Sequence, residues 1–269
     1  MRDAESALFV HLHPDERPEA RRLIDIARSV RAHGTWRLTA FVDPRGREIA
    51  DLVAGALAVG AVFFGGDGEA ERVRALFVPK GMEEDVARDP ETFELGLVDV
   101  TWNSAFGTLE HRDVLGAVLG LGIERERVGD IRLTSGRAEI VTTAALAPFV
   151  VEHLKRVGVI GVAVRPGNWS ERLPHFSSPK QEKIVSVASM RLDAVIAEAL
   201  QLSREAAKKL VHGGAVKVNH RPVDAPDAKL ALGDLVSVRG FGRLEIVSLL
   251  GRSQKGRIRL AVAFTGARR

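Results

Sequence analysis

The hydrophobic periodicity of the chain changes near residue 190, and this change constrains the C-terminal fold more than any other feature. Between Leu192 and Leu200, apolar residues recur three and four positions apart, which predicts a helix with one apolar face. A second predicted helix begins after the N-cap residue Ser203 and ends at Gly213-Gly214. From Ala215 onwards, apolar and polar residues alternate as they do in strands. The pattern therefore predicts a helix pair followed by a small, twisted sheet.

This C-terminal segment is also basic. From Met190 to Arg269 the chain has 15 Lys and Arg against 7 Asp and Glu, a net charge of +8, whereas the remaining 189 residues carry −4. A basic region in an otherwise acidic chain indicates a polyanionic partner such as a nucleic acid. A solvated, arginine-rich surface would give the same count, so the charge alone does not decide between the two.

Several C-terminal side chains are candidates for contact with RNA. The predicted helix pair and sheet bring one set of cations within reach of a single surface: Arg191, Arg204, Lys208, Lys217 and Arg239. Ser203 and Asn219 can add neutral hydrogen bonds to a phosphate backbone, and Arg243, which closes the tight corner that begins at Gly240, completes the candidate set.

The upstream sequence predicts two more domains, so that the chain as a whole belongs to the mixed α/β (α+β) class. Residues 1–80 read as an α/β domain with these elements: helix 14–33, strand 37–42, helix 48–58, strand 61–64 and a helix after Gly68. Residues 91–166 read as β-α-β-β-α-β, the split arrangement of ferredoxin-like folds and RNA-recognition motifs. Residues 167–188 are expected to be a linker with one short strand at Ile184–Val187, and 189–269 form the C-terminal domain.

The third strand of the middle domain argues against one mode of RNA binding. RNA-recognition motifs stack bases on aromatic side chains of that strand. Here the strand is Arg137–Val141, which contains no aromatic residue. We therefore expect the middle sheet to have a protein contact or a purely structural role.

Motifs for other functions are incomplete. The chain has no cysteine, its histidines lack the spacing of metal-ligand pairs, and its apolar runs are too short for a membrane span. His111-Arg112-Asp113 lacks the asparagine of a kinase catalytic loop, and Gly65–Gly68 lacks the Lys-Ser/Thr of a phosphate-binding loop. No secretory leader is expected. The sequence predicts a cytoplasmic, non-enzymatic protein with no cofactor, no metal, no membrane partner and no small-molecule substrate.

The C-terminal residues resemble the αL RNA-binding module of small-subunit ribosomal protein S-four, of many pseudouridine synthases and of bacterial tyrosyl-tRNA synthetases. The matching segments are Arg191-Leu192-Asp193, Ser203-Arg204, Lys208, Gly214-x-Val216-x-Val218-Asn219, Gly233-Asp234 and Val238-Arg239-Gly240. The resemblance implies that the helix pair and the strand loops grip structured RNA. It also implies RNA-contacting roles for Arg191, Ser203, Arg204, Lys208, Lys217, Asn219 and Arg239.

A wider resemblance covers nearly the whole chain. His111-Arg112-Asp113-Val114-Leu115-Gly116, Leu121-Gly122-Ile123-Glu124-Arg125 and Gly129-Asp130-Ile131 resemble the YlmH (RqcP) family, as do Thr39–Arg45 and Gly65-Gly66. The resemblance implies a ribosome-associated factor that binds rRNA and tRNA. Such a factor holds peptidyl-tRNA on a blocked large ribosomal subunit during alanine tailing. The chain departs from the family pattern at Val42 and Asp67.

Two other functions stay open. One is an RNA-modifying enzyme, because αL modules are often joined to pseudouridine synthases. Those enzymes carry their catalytic aspartate in an Arg-Leu-Asp segment of a much larger domain, and the one Arg-Leu-Asp here, 191–193, lies inside the binding module. The other is a scaffold for a protein partner, such as the cell-division machinery.

Overall fold

The described part of the N-terminal region has two long helices packed against a three-stranded sheet. Its elements are α1 (Arg17–His33), β1 (Arg37–Val42), α2 (Pro44–Leu57), β2 (Val59–Phe64) and β3 (Val73–Pro79). Strand β3 lies between β1 and β2 and is antiparallel to both. The computed structural model of the chain describes residues 8–10, 12–174 and 181–265.

The structure confirms the first predicted helix and corrects two later elements. Helix α1 ends at Gly34, whose left-handed φ of 66° suits glycine. Helix α2 begins at Pro44 rather than at residue 48, because the Asp43 side chain accepts a hydrogen bond from the Gly46 amide and caps it. The helix expected after Gly68 is wrong: the chain turns there and continues as β3. A short, continuously buried apolar run does not distinguish a helix from a central strand.

The middle region has the predicted split topology. Its elements are β4 (Leu95–Thr101), α3 (His111–Gly120), β5 (Val128–Thr134), β6 (Arg137–Thr143), α4 (Ala147–His153), β7 (Arg156–Val157), β8 (Ile160–Gly161) and β9 (Ala163–Pro166). The antiparallel order β5-β6-β4-β9 is that of a ferredoxin-like sheet, and Val98, Val100 and Ile140 on one face pack against α3 and α4. The β7–β8 hairpin was not predicted.

A shared core joins the N-terminal and middle regions. Phe41 and Leu76 from the first sheet pack with Leu97 and Val141 from the second and with Phe93, which lies just before β4, and all five are buried. Residues 1–80 and 91–166 were expected to be separate domains. They lie together in one compact unit, residues 1–176, and a second unit comprises residues 177–269.

Regular structure occupies most of the described part of the segment that was expected to be a linker. Trp169–Glu171 form a 3₁₀ turn, and Leu173 is buried against the middle sheet. Residues Gln181–Val187 form a strand, β10, which begins three residues before the predicted one and pairs along its whole length with the last strand of the chain. The strand contains Glu182 and Lys183, and a strand at a sheet edge tolerates such charged residues.

The C-terminal unit has two helices on one face of a six-stranded antiparallel sheet. After β10 its elements are α5 (Leu192–Leu200), α6 (Arg204–His212), β11 (Val216–Val218), β12 (Arg221–Pro222), β13 (Leu235–Val238), β14 (Gly242–Arg252) and β15 (Ile258–Thr265). The strand order is β10-β15-β14-β13-β11-β12. Leu192, Ile196 and Val211 from the helices meet Val236 and Leu260 from the sheet in one core. The helix pair and sheet predicted from the periodicity are confirmed.

The shared core predicts a large stability difference between two Phe→Ala substitutions in the N-terminal unit. Phe93 is fully buried, so Phe93→Ala should destabilise that unit by about 3–5 kcal/mol. Phe106 is 77% exposed, and Phe106→Ala should change stability by less than about 0.5 kcal/mol. All three tryptophans lie in this unit, so urea unfolding followed by tryptophan fluorescence reports on it alone. Equal effects of the two substitutions would contradict the shared core.

Candidate nucleic-acid interface

A buried carboxylate holds two of the predicted arginines. Asp193, in the first turn of α5, is fully buried. Its Oδ1 accepts a hydrogen bond from Arg191 Nε at 3.1 Å, and its Oδ2 accepts from Arg191 Nη2 at 3.2 Å and from Arg204 Nη2 at 2.8 Å. Arg191 caps α5 and Arg204 opens α6, so the carboxylate ties the beginnings of the two helices together.

The electrostatics keep Asp193 and Arg191 charged. Burial would raise the pKa of Asp193, but the hydrogen bonds from Arg191 and Arg204 outweigh burial and lower it below its ordinary value. The hydrogen bond to Asp193 also raises the pKa of Arg191. The arginine side chains keep 39% and 47% of their surface exposed. The hydrogen bonds to Asp193 fix the orientation of each guanidinium. Because a guanidinium has five N–H donors, each still presents donors to solvent.

Two lysines extend this pair of arginines. Lys208 is half-buried one helical turn after Arg204, on the same side of α6. Lys229 is exposed, and its backbone pairs with that of Arg191 in an isolated antiparallel bridge, which places both side chains on one side. Lys229 was not predicted, since nothing in the irregular segment before Leu230 indicates that it pairs with residue 191. We call Arg191, Arg204, Lys208 and Lys229 the helix-side cluster.

The predicted strand residues lie on a different face. Lys217, Ser237 and Arg243 stand opposite one another across β11, β13 and β14. Their neighbours in each strand, such as Val216 and Val238, point into the core against the helices. Because side chains alternate along a strand, Lys217 and Arg243 lie on the outer face of the sheet. The expectation that Lys217 shares one surface with Arg191, Arg204 and Lys208 is therefore wrong.

The two neutral candidates make structural hydrogen bonds. Ser203 Oγ accepts from the Ala206 amide at 3.1 Å and caps α6, as its position before the helix predicted. Asn219 adopts a left-handed φ of 49°; its Nδ2 donates to Asp234 at 2.8 Å, and its Oδ1 accepts from the Leu235 amide at 2.9 Å. These groups shape the loops around the cations.

Arg239 lies in the turn between β13 and β14. Its side chain is exposed, and its amide donates to the Ala215 carbonyl at 2.8 Å, which anchors the turn to the chain entering β11. The structure thus places Arg239 at the end of the sheet, next in sequence to the strand that carries Ser237.

The middle sheet is closed on the face that RNA-recognition motifs use. Arg132, Glu139, Asp99 and Arg165 form one row across its four strands. Burial would raise the pKa of Asp99, but hydrogen bonds from Arg137 and Arg165 lower it.

The chain after β9 covers part of this row. The Leu173 amide donates to Glu139 at 2.9 Å, and Arg132 donates to the Leu173 carbonyl at 2.8 Å. Arg172 and Arg132 both donate to Asp67, at 2.6 and 2.7 Å. The core shared with the N-terminal sheet covers another part of the face, around Val141. Base stacking on this sheet would have to displace buried ion pairs and apolar side chains.

The described residues offer little to other chemistries. Among residues 8–10, 12–174 and 181–265, no three His, Asp or Glu side chains are grouped so that they could hold a metal ion. Within the same ranges, no helix has the length and apolar character needed to cross a bilayer.

The helix pair with its fixed arginines, the twisted sheet and the split middle domain define an RNA-binding protein of the αL type. Residues 190–236 match the family model described as the S4 domain, and residues 89–171 match the model described as a putative RNA-binding domain in YlmH. The chain is 33% identical over 256 residues to the ribosome-associated protein quality control protein P2 of Bacillus subtilis (strain 168), covering 95% of this chain and 97% of that protein. The chain therefore belongs to the YlmH family.

A solved structure agrees with this assignment. The cell division protein ylmH from Streptococcus pneumoniae superposes with a TM-score of 0.51 at 25% sequence identity, covering 61% of this chain and 98% of that one.

The lowered pKa of Asp193 predicts how the stability of the C-terminal unit varies with pH. The folded carboxyl binds its proton less readily than the unfolded one does. Its stabilising contribution is therefore complete above the ordinary pKa of 3.8 and is lost as the pH falls through the lower folded-state value. Asp193→Asn should cost about 1–3 kcal/mol at neutral pH, because it weakens the hydrogen bonds of a buried group. Its difference from the wild type should shrink in acid.

Hydrogen exchange of the buried amides of α5 and α6 measures this difference, since the C-terminal unit has no tryptophan. Glu205→Gln is the control, because it removes an exposed carboxylate from the same helix pair and should have little effect at any pH. A cost of Asp193→Asn that stays constant from neutral pH into acid would show that the charge of Asp193 is unimportant to the fold.

Proposed function

We propose that this chain is a non-catalytic RNA-binding protein that docks on the rRNA and tRNA of the large ribosomal subunit. The observation that carries the proposal is the helix-side cluster, in which two arginines are held by one buried carboxylate and flanked by two lysines. The Bacillus subtilis relative is named as a ribosome-associated quality-control protein, and one of the two matching family models is described as a putative RNA-binding domain. We therefore place the protein in the cytoplasm, where ribosomes operate.

The chemistry of the cluster suits phosphate. A guanidinium presents N–H donors in a planar fork that matches two phosphate oxygens, and fixing it in advance reduces the entropy lost on binding. Asp193 fixes the guanidinium groups of Arg191 and Arg204 in this way. Lys208 and Lys229 add positive charge without a fixed geometry. Such a surface positions a protein on folded RNA without reading its sequence.

The candidates outside the helix-side cluster take a second place in the proposal. Arg239, Lys217 and Arg243 would contact RNA that wraps past the end of the sheet onto its outer face. Ser203 and Asn219 would contribute by holding the loops in shape. In ribosome-associated quality control, we propose that these contacts hold peptidyl-tRNA on the blocked large subunit during alanine tailing.

The geometry of Asp193 supports a non-catalytic role. A catalytic aspartate of the pseudouridine-synthase kind must reach its substrate, yet Asp193 is fully buried and both of its oxygens accept hydrogen bonds from arginine. Removing Asp193 from these arginine partners would cost free energy, because a buried charge would lose its hydrogen bonds. We therefore assign it a structural role. The protein-scaffold alternative is supported by the name of the Streptococcus pneumoniae structure, a cell division protein, whereas the helix-side cluster favours RNA binding.

Neighbouring lysines on α6 test the helix-side cluster. Lys208 lies beside Arg204, whereas Lys209 is exposed on the side of the helix away from the core. Lys208→Ala should weaken binding to purified large ribosomal subunits and lower the slope of log affinity against log salt by about 0.7–0.9, the value for one lost phosphate contact. Lys209→Ala removes the same charge and should leave the slope unchanged. Co-sedimentation over a salt series measures both, and equal slopes for the two variants would refute the assignment.

Asp193 offers a test in which charge and positioning predict opposite results. If only net charge mattered, Asp193→Asn would tighten RNA binding by removing a negative charge beside the cluster. If the carboxylate positions Arg191 and Arg204, the same substitution should weaken binding, by roughly threefold to tenfold for contacts of this kind. The measurement is affinity for large subunits at neutral pH, with hydrogen exchange confirming that α5 and α6 remain folded. Tighter binding would show that positioning is unimportant.

A further inference from the structure

One edge of helix α1 carries a stripe of arginines. Arg17, Arg21, Arg28 and Arg31 are all exposed. At 100° per residue the four fall within about 80° of one another around the helix, and at 1.5 Å per residue they extend for about 21 Å along it. The buried side of the helix includes Leu23, Ala27 and Ile24, and Ile24 falls within the same arc, so the stripe runs along the border of the buried side. We call the four side chains the arginine stripe.

The helix that carries the stripe contains few acidic residues. Residues 17–37 contain six arginines and two acidic residues, Glu19 and Asp25. Asp25 pairs with Arg28 at 3.3 Å. In the described part of the chain, neither Arg17 nor Arg21 has an acidic partner within ion-pair distance, and the Arg21 guanidinium lies 5.9 Å from the centre of the Phe9 ring. Ion pairing among the described residues therefore does not account for the first half of the stripe.

The second half of the stripe is better fixed. Arg31 Nη1 donates to the Leu57 carbonyl at 3.4 Å, at the end of α2, and Arg28 is held by Asp25. Beyond the end of the helix, Trp36 is 40% exposed, and Arg37 Nη1 donates to its carbonyl at 3.1 Å. An exposed indole beside cations is a feature of surfaces that stack nucleic-acid bases.

We propose that the arginine stripe is a second RNA-binding surface, which contacts the phosphate backbone and is separate from the helix-side cluster. All its cations are arginine, the side chain best suited to phosphate. The middle sheet of the same unit is closed by buried ion pairs and by the shared core, so RNA contact by this unit needs another surface. The stripe lies on exposed helix and requires no rearrangement. This inference goes beyond the proposed function, which rests on the C-terminal unit.

Paired double variants test the stripe. Arg17→Gln with Arg21→Gln removes two stripe cations and keeps helix propensity nearly constant. The control is Lys80→Gln with Arg88→Gln, which removes two exposed cations that belong to the same unit but not to α1. The probe is a fluorescently labelled RNA stem-loop with a single-stranded tail, bound to the full chain over a salt series. The stripe variant should bind roughly fivefold to tenfold more weakly and lose about 1.4–1.8 from its salt slope. The control should keep the wild-type slope.

Combination with Lys208→Ala separates this inference from the proposed function. If both surfaces bind RNA, the losses in the combined variant should add, because the sites share no partner. If only the stripe variant lost RNA affinity, the stripe would be supported as an RNA-binding surface and the helix-side cluster would be contradicted. A stripe variant that matches the Lys80 and Arg88 control, with unchanged tryptophan-monitored unfolding, would overturn the stripe as an RNA surface; an acidic protein partner would give this outcome.

Discussion

The C-terminal unit depends on the buried carboxylate of Asp193, which holds the partly exposed guanidinium groups of Arg191 and Arg204. Burying Asp193 is costly unless its oxygens are hydrogen-bonded, and the two guanidinium groups that satisfy it come from the beginnings of different helices. The same hydrogen bonds therefore pack the two helices together and position the two cations. A change that loosens α5 against α6 must also misplace Arg191 and Arg204, so the stability of this module and its affinity for RNA should vary together.

The N-terminal unit uses buried charge in the opposite way. Asp99 and Glu139 lie on the sheet face that would stack bases in an RNA-recognition motif, but here their arginine partners and the segment around Leu173 close that face. The strand order of the motif is retained while its usual binding surface is used for packing. A shared topology therefore does not imply a shared binding mode, because the site depends on which side chains occupy the face.

Elements with strong local signals could be predicted from the sequence, and the arrangement of surfaces could not. The periodicity of α1, the split topology of the middle region and the capping of α6 by Ser203 are all local patterns. The helix expected after Gly68 was wrong because a short apolar run suits both a helix and a central strand. Lys217 was assigned to the wrong face. Strand alternation predicts that its side chain points away from the core, but does not predict on which face of the sheet the helices pack. Lys229 was missed because its pairing with Arg191 joins residues far apart in the chain.

Charge counted over a long segment hides where charge lies. The first 189 residues are acidic on average, with a net charge of −4, so the charge count predicted a polyanion-binding surface only in the C-terminal unit. Helix α1 is nevertheless locally basic, and its arginines share one edge because their spacing follows the helical period. An RNA strand responds to the potential within about 8–10 Å of its phosphates, the Debye length at physiological salt, and not to the sum over a domain. Basic surfaces in this family should therefore be sought helix by helix, after the fold has shown which side of each helix is free.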